Sequence, residues 1–175
     1  PVLWVGAGLS VAAGVPSTGQ LVQEMVRLAD DPIDPSLSFP QVVQAFIDSR
    51  SPGDLNELLQ KLLGQPRQPT ATHHAIARLA AQGAFHTLVT TNYDGLLEAA
   101  LEAAEAPYVA QHLEDNSQVV GSGAVRLLKV HGSRESWETA IFSQDSYDQF
   151  EQRYRFLWNQ LDQLLARQRV LFVGS

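Results

Sequence analysis

The chain contains no cysteine and a single methionine, and its 12 lysines and arginines are outnumbered by 19 aspartates and glutamates, for a net charge of −7. Without thiols there is no disulfide framework, no thiolate zinc site and no sulfur redox chemistry through cysteine. The acidic balance argues against a nucleic-acid surface, because sequence-independent binding to phosphate backbones depends on a field of Lys and Arg. A small anionic ligand survives that argument, since backbone dipoles at a helix N-terminus hold a pyrophosphate even on an acidic protein. No apolar run approaches the ~18 residues a membrane-spanning helix needs, and Pro1 does not open a basic-then-apolar leader. These absences set the expectation of a soluble, cytoplasmic protein without membrane partners.

What is present is a globular composition, 45% hydrophobic over 175 residues, which suits one domain with a substantial core. Four short apolar runs end in small or polar residues and read as strands: Val2 to Val5, Phe85 to Thr90, Val125 to Val130 and Val170 to Val173. A weaker strand fits Tyr108 to Gln111. Helical patterns lie between them, from a Ser17-Thr18 cap to about Leu28, then Pro40 to Ser49, Gly53 to Leu63, Thr70 to Gln82 and Asp94 to Glu105. Ser143 to Arg167 reads as one long helix with Tyr147, Phe150, Tyr154, Leu157, Trp158, Leu161, Leu164 and Leu165 on its buried face. Such alternation implies a parallel sheet covered by helices on both faces, with ligands beyond the carboxyl ends of its strands. The proline-rich stretch of about 30–69 breaks the alternation and is expected to be an inserted helical module. Glu114 to Gly123 is expected to be a loop. The chain begins one residue before a strand and stops just after another, so it is expected to be a fragment of a longer protein.

Three polar clusters fall at strand ends. In Val5-Gly6-Ala7-Gly8-Leu9-Ser10 the glycines allow a sharp turn and a close approach of backbone to phosphate. The dehydrogenase fingerprint G-x-G-x-x-G is broken by Val11, but Ser10 and the Gly14-Val15-Pro16-Ser17 turn extend the loop. In Thr90-Thr91-Asn92-Tyr93-Asp94, Asp94 is placed to cap the following helix. Asn92 offers donor and acceptor together, for a ribose diol or a positioned water, or else bonds its own backbone as a turn residue. In Lys129-Val130-His131-Gly132-Ser133, His131 is either a general base near neutral pH, with Gly132 leaving space beside the ring, or a satisfied structural histidine. His73 and His74 lie in a helix, and no histidine pair has metal-ligand spacing, so no metal is expected.

Taken in order, Gly6-Ala7-Gly8-Leu9-Ser10 with Gly14-Val15-Pro16, Thr91-Asn92-Tyr93-Asp94, His131-Gly132 and Val173-Gly174-Ser175 resemble the NAD-binding motifs of the sirtuin superfamily across the whole chain. The protein-deacylating sirtuins carry Asp-Phe-Arg after Gly-x-Pro and usually a four-cysteine zinc module. Here Ser17-Thr18-Gly19 stands in the first place and no cysteine exists. The chain is more similar to the bacterial zinc-free branch, NAD hydrolases fused to other domains in antiphage defence, whose motifs include Thr-Asn-Tyr-Asp and Lys-x-His-Gly. Phe142-Ser143-Gln144-Asp145-Ser146-Tyr147 also resembles that branch, although Ser143 itself is expected to be an ordinary N-cap.

The resemblance implies a Rossmann-like α/β core and NAD as substrate, cleaved to nicotinamide and ADP-ribose. Asn92 and His131 would be the catalytic residues. Gly6, Ala7, Gly8, Ser10, Pro16, Ser17, Asn92, Asp94, Gly174 and Ser175 would bind the dinucleotide, the last two on its adenosine side. Partners would be other domains of the same chain and a homo-oligomer or a regulatory or sensor protein. Two other functions fit the same motifs: an NAD-dependent deacylase, and a non-catalytic sensor of NAD or ADP-ribose.

Overall fold

The computed structural model describes residues 1–115, 121 and 123–174. Five strands, β1 (Val2–Val5), β2 (Thr87–Thr90), β3 (Tyr108–Gln111), β4 (Val125–Lys129) and β5 (Val170–Val173), form one parallel sheet in the order β3-β4-β2-β1-β5. Register decides where the site lies. Val5 pairs with both Thr90 and Val173, and Thr90 with Lys129. The chain therefore leaves β1, β2, β4 and β5 at one level, and the three polar clusters emerge along a single edge. This is a Rossmann-like α/β arrangement.

Nine α-helices accompany the strands: α1 (Gly8–Val11), α2 (Thr18–Leu28), α3 (Phe39–Ser49), α4 (Pro52–Leu63), α5 (Ala71–Ala81), α6 (Leu96–Ala103), α7 (Gln144–Asp148), α8 (Phe150–Arg153) and α9 (Arg155–Arg167), all among the described residues. Side chains alternate between the two faces of a strand, and the core divides accordingly. Leu3, Val5, Leu88 and Leu127 pack under Ile76, Ala77 and Ala80 of α5 and Leu97, Ala100 and Leu101 of α6. Val2, Val89, Leu128 and Val130 pack on the opposite face against Tyr154, Leu157 and Leu161. Both faces are buried, as a parallel sheet requires.

A third cluster stands apart from the sheet. Leu21 and Met25 of α2, Val42, Val43 and Phe46 of α3, and Leu55, Leu58, Leu59 and Leu63 of α4 bury one another. Tyr93, Trp137, Ala140 and Phe142 join this cluster, so the helices α2–α4 sit over the carboxyl edge of the sheet. Their starts follow from the sequence: Ser17 and Gln20 form a reciprocal capping box on α2, and Ser51 accepts from the Asp54 N–H at the start of α4.

Two details depart from the sequence reading. The Gly turn runs directly into α1, a helical turn that the pattern did not show. The long helix expected over Ser143 to Arg167 is divided into α7, α8 and α9. Neither glycine nor proline lies in that stretch; α7 gives way to α8 at Gln149, and the break between α8 and α9 comes at Tyr154, which leaves helical geometry (φ −118°, ψ 43°), buries its ring and donates its hydroxyl to the Thr139 carbonyl at 3.2 Å. Tyr147, Trp158 and Leu165, expected on the buried face, are exposed. Of the loop expected from Glu114 to Gly123, residues 116–120 and 122 lie outside the described residues.

Candidate functional site

The turn from Gly6 to Ser10 is pinned from behind by the end of β5. Gly6 N–H donates to the Val173 carbonyl at 2.9 Å and Gly8 N–H to the Gly174 carbonyl at 2.7 Å. The backbones cross so closely that a Cβ on Gly8 would stand 2.8 Å from the Gly174 oxygen, and one on Gly174 would stand 2.5 Å from the Leu9 nitrogen. Gly174 also has a positive φ of 71°, which costs glycine little and other residues more. The glycines thus serve a backbone crossing. Leu9 and Ser10 N–H groups are likewise occupied, by the Gly6 and Ala7 carbonyls.

Asn92 reaches this turn from the end of β2. Its Nδ2 donates to the Gly6 carbonyl at 3.2 Å and to Ser10 Oγ at 3.1 Å, while its backbone N–H is held by Thr90 Oγ1 at 3.0 Å. The amide orientation is fixed by these partners, because the flipped amide would set oxygen against the Gly6 oxygen. Both amide hydrogens are therefore spent. Oδ1 is buried and has no hydrogen-bond partner among the described residues. A buried acceptor left unpaired is costly, and Asn92 lines a cavity of about 60 Å³ together with Ala7, Ser10, Pro16, Tyr93 and Asp94. Val15, Leu21, Phe39 and Leu63 close it on the side of the helical cluster.

Asp94 lies on the same cavity, and its Oδ1 accepts from the Leu96 N–H at 3.1 Å, bracing the start of α6. Its carbonyl receives the Lys129 ammonium at 2.7 Å, which also pairs with Glu98 at 2.6 Å. Lys129 is only 1% exposed. It rivets the end of β4 to the loop that carries Asn92, and a buried charge of this kind is tolerable only while its partners remain.

His131 follows β4. Burial pushes its imidazole down to about 4, so the ring is neutral at ordinary pH. Tyr147 Oη stands 3.4 Å from its Nδ1, and the Tyr93 ring lies 6.3 Å away, centroid to centroid. Tyr93 stacks on Phe142 at 4.1 Å and donates to the Ile141 carbonyl at 2.6 Å. The space at Gly132 is taken by Ala140, whose Cα would lie 3.1 Å from an added Cβ.

Two profiles match this chain: the Sir2 family over residues 6–111, and a SIR2-like domain over residues 86–175. The chain belongs to the Sir2 family. Among its relatives is an NAD(+) hydrolase ThsA of Acinetobacter baumannii (strain 532279), 28% identical over 98% of this chain and 35% of its own length. Defense-associated sirtuin 2 of Bacillus subtilis is 25% identical over 99% of this chain and 17% of its own. An NAD-dependent protein deacetylase of Xanthomonas axonopodis pv. citri (strain 306) is 36% identical over 54% of this chain and 30% of its own. The chain spans about a third of the ThsA relatives that it matches. A solved Sir2 homolog–NAD complex aligns with a TM-score of 0.42 at 21% identity, over 75% of this chain and 40% of that one.

Within this Sir2 chain the expected residues divide into groups. Ala7, Ser10, Pro16, Asn92 and Asp94 share the cavity. Gly6 supplies a carbonyl to Asn92, while Gly8 and Gly174 build the crossing behind it. Ser17 is committed to capping α2, and Ser143 caps α7 by accepting from the Ser146 N–H. Ser175 lies outside the described residues. His131 stands beyond Tyr93 and, among the described residues, does not line that cavity. One residue escaped the sequence reading: His73, fully buried, faces Ser10 Oγ with Nε2 at 3.5 Å. Its signal was present in Thr70-Ala71-Thr72-His73, a capping-box spacing with histidine in the place of Glu or Gln.

Proposed function

We propose that this domain hydrolyses NAD at the nicotinamide–ribose bond, giving nicotinamide and ADP-ribose, as the effector part of a longer bacterial antiphage defence protein. The observation that carries the reading is the Asn92 amide, locked by two donations, with its Oδ1 buried and unpaired, in a residue that lines the cavity. An acceptor of that kind suits a ribose hydroxyl or the attacking water. The names of the ThsA and defence-associated relatives agree with it.

Nicotinamide departs as a neutral molecule because its ring nitrogen is already cationic, so bond cleavage needs no general acid. Water adds to the oxocarbenium-like carbon and loses one proton overall. Asn92 Oδ1 accepts a hydrogen bond from the ribose or the water, and His131, which is neutral and stands behind Tyr93 in the free protein, is the base that takes the proton once ligand entry has moved the Tyr93 ring aside. The dinucleotide needs more room than about 60 Å³; binding sites for ligands of such size are several times larger. Its entry therefore widens the cavity that Val15, Pro16, Thr18 and Tyr93 line.

The test is nicotinamide release by the intact protein. Asn92→Ala and His131→Ala are each expected to reduce it by about 10²-fold or more, with unchanged folding by circular dichroism. Parent-like turnover in both variants would refute these roles for Asn92 and His131. The deacetylase relative favours a second reading; NAD consumption that depends on an added acetylated peptide would support it over hydrolysis.

A further inference from the structure

His73 sits on α5, outside the three sequence clusters, yet its ring is tied into the site at both ends. Nδ1 receives the backbone N–H of Thr70 at 3.2 Å, the contact that closes the α5 capping box, and Thr70 Oγ1 approaches the same nitrogen at 2.8 Å. A backbone N–H only donates, so Nδ1 is the unprotonated nitrogen and the neutral ring carries its proton on Nε2. Burial favours that neutral form. Nε2 faces Ser10 Oγ at 3.5 Å, and Ser10 Oγ also accepts from Asn92 Nδ2 at 3.1 Å. A hydroxyl oxygen has two lone pairs and one proton. With histidine and asparagine both donating to it, the one capacity Ser10 has left is its own O–H, and Ser10 lines the cavity.

We propose that His73 is a positioning residue: its Nε2–H, set by Thr70, commits the Ser10 hydroxyl to donate into the cavity, toward an acceptor oxygen of the bound dinucleotide. This role rests on the nucleotide reading of the site. It also explains why a polar ring occupies a position on α5 whose neighbours Ile76, Ala77 and Ala80 are core.

Two measurements on the intact protein test it. The first reads the ¹⁵N resonances of the His73 ring in the unsubstituted protein. The expected result is a protonated Nε2 and a bare Nδ1; a protonated Nδ1 would overturn the proposal without touching the nucleotide reading. The second is a double-mutant cycle on ADP-ribose affinity and on nicotinamide release. His73→Leu should weaken ADP-ribose binding by about tenfold, the scale of one lost hydrogen bond. His73→Gln, which keeps a donor, should restore most of it. On a Ser10→Ala background, His73→Leu should cost nothing further. Equal losses with and without Ser10, or ADP-ribose binding unaffected by His73→Leu, would contradict the role. A parent that shows the Nε2–H tautomer but binds no ADP-ribose would overturn both the nucleotide site and this role within it.

Discussion

An asparagine whose two amide hydrogens are both committed has one remaining use, and Asn92 is in that position. Asn92→Asp keeps the shape but sets a second oxygen against the Gly6 carbonyl. The variant is expected to lose about 1–3 kcal/mol of stability, read by denaturant unfolding, as well as nicotinamide release. His131 carries a separate prediction. Its folded value of about 4 lies below the ordinary 6.5, so between those values the unfolded chain takes up a proton that the folded chain refuses. Stability present above about pH 6.5 is therefore lost as pH falls toward about 4, and His131→Gln should flatten that part of the profile relative to the parent. The same depression predicts that the acid limb of kcat/KM lies below pH 6. A limb at the usual imidazole value would contradict it. At this scale Asn92 and Asp94 were legible as candidates because they follow the end of β2, and Ser10 because it closes the glycine turn after β1. His73 was legible only as a capping partner of Thr70; its approach to Ser10 was not, because helical spacing does not tell what a ring meets across the fold.

Among the elements, the crossing of the Gly6–Ser10 turn with the end of β5 is the least tolerant of change. Gly8→Ala should destabilise by about 1–3 kcal/mol, the usual cost of overpacking. Gly174→Ala should cost more, since its Cβ meets the Leu9 nitrogen at 2.5 Å and its φ is positive. Equal thermal stability of Gly174→Ala and parent would show that the crossing is not constrained as described. Lys129→Met leaves the largely buried Glu98 without its cation, and a loss of about 3–5 kcal/mol is expected, checked by the same unfolding measurement. The capping boxes and the short strands could be read from local sequence because their signals are local. The break between α8 and α9 could not, because it falls where Tyr154 buries its ring and bonds to Thr139 across the fold. Nor could α1, whose four residues are too few to show a period.

At the scale of the whole molecule, the alternation of strands and helices announced a parallel sheet, but not its order. That order depends on the crossovers that carry the chain past its neighbours, and local pattern holds no information on them. The break in alternation between about 30 and 69 pointed to a helical module, and the structure packs α3 and α4 with α2 and with Tyr93 and Phe142 at the sheet edge. The cavity is lined both by residues of the helical cluster and by residues that follow the strands, and on the proposed reading NAD enters by widening it. Hydrogen exchange in the presence of ADP-ribose should change in the Val15–Leu21 segment more than in β2 or β4. Uniform exchange would argue that no opening occurs.

The most direct test is time-resolved release of nicotinamide from NAD by the intact protein, with and without candidate activators, for the parent and for Asn92→Ala. Nicotinamide and ADP-ribose appearing in equal amounts from the parent, and from the variant at least about 10²-fold more slowly, is the predicted result. A parent that binds ADP-ribose yet releases no nicotinamide under any condition, or a variant as fast as the parent, would contradict the account.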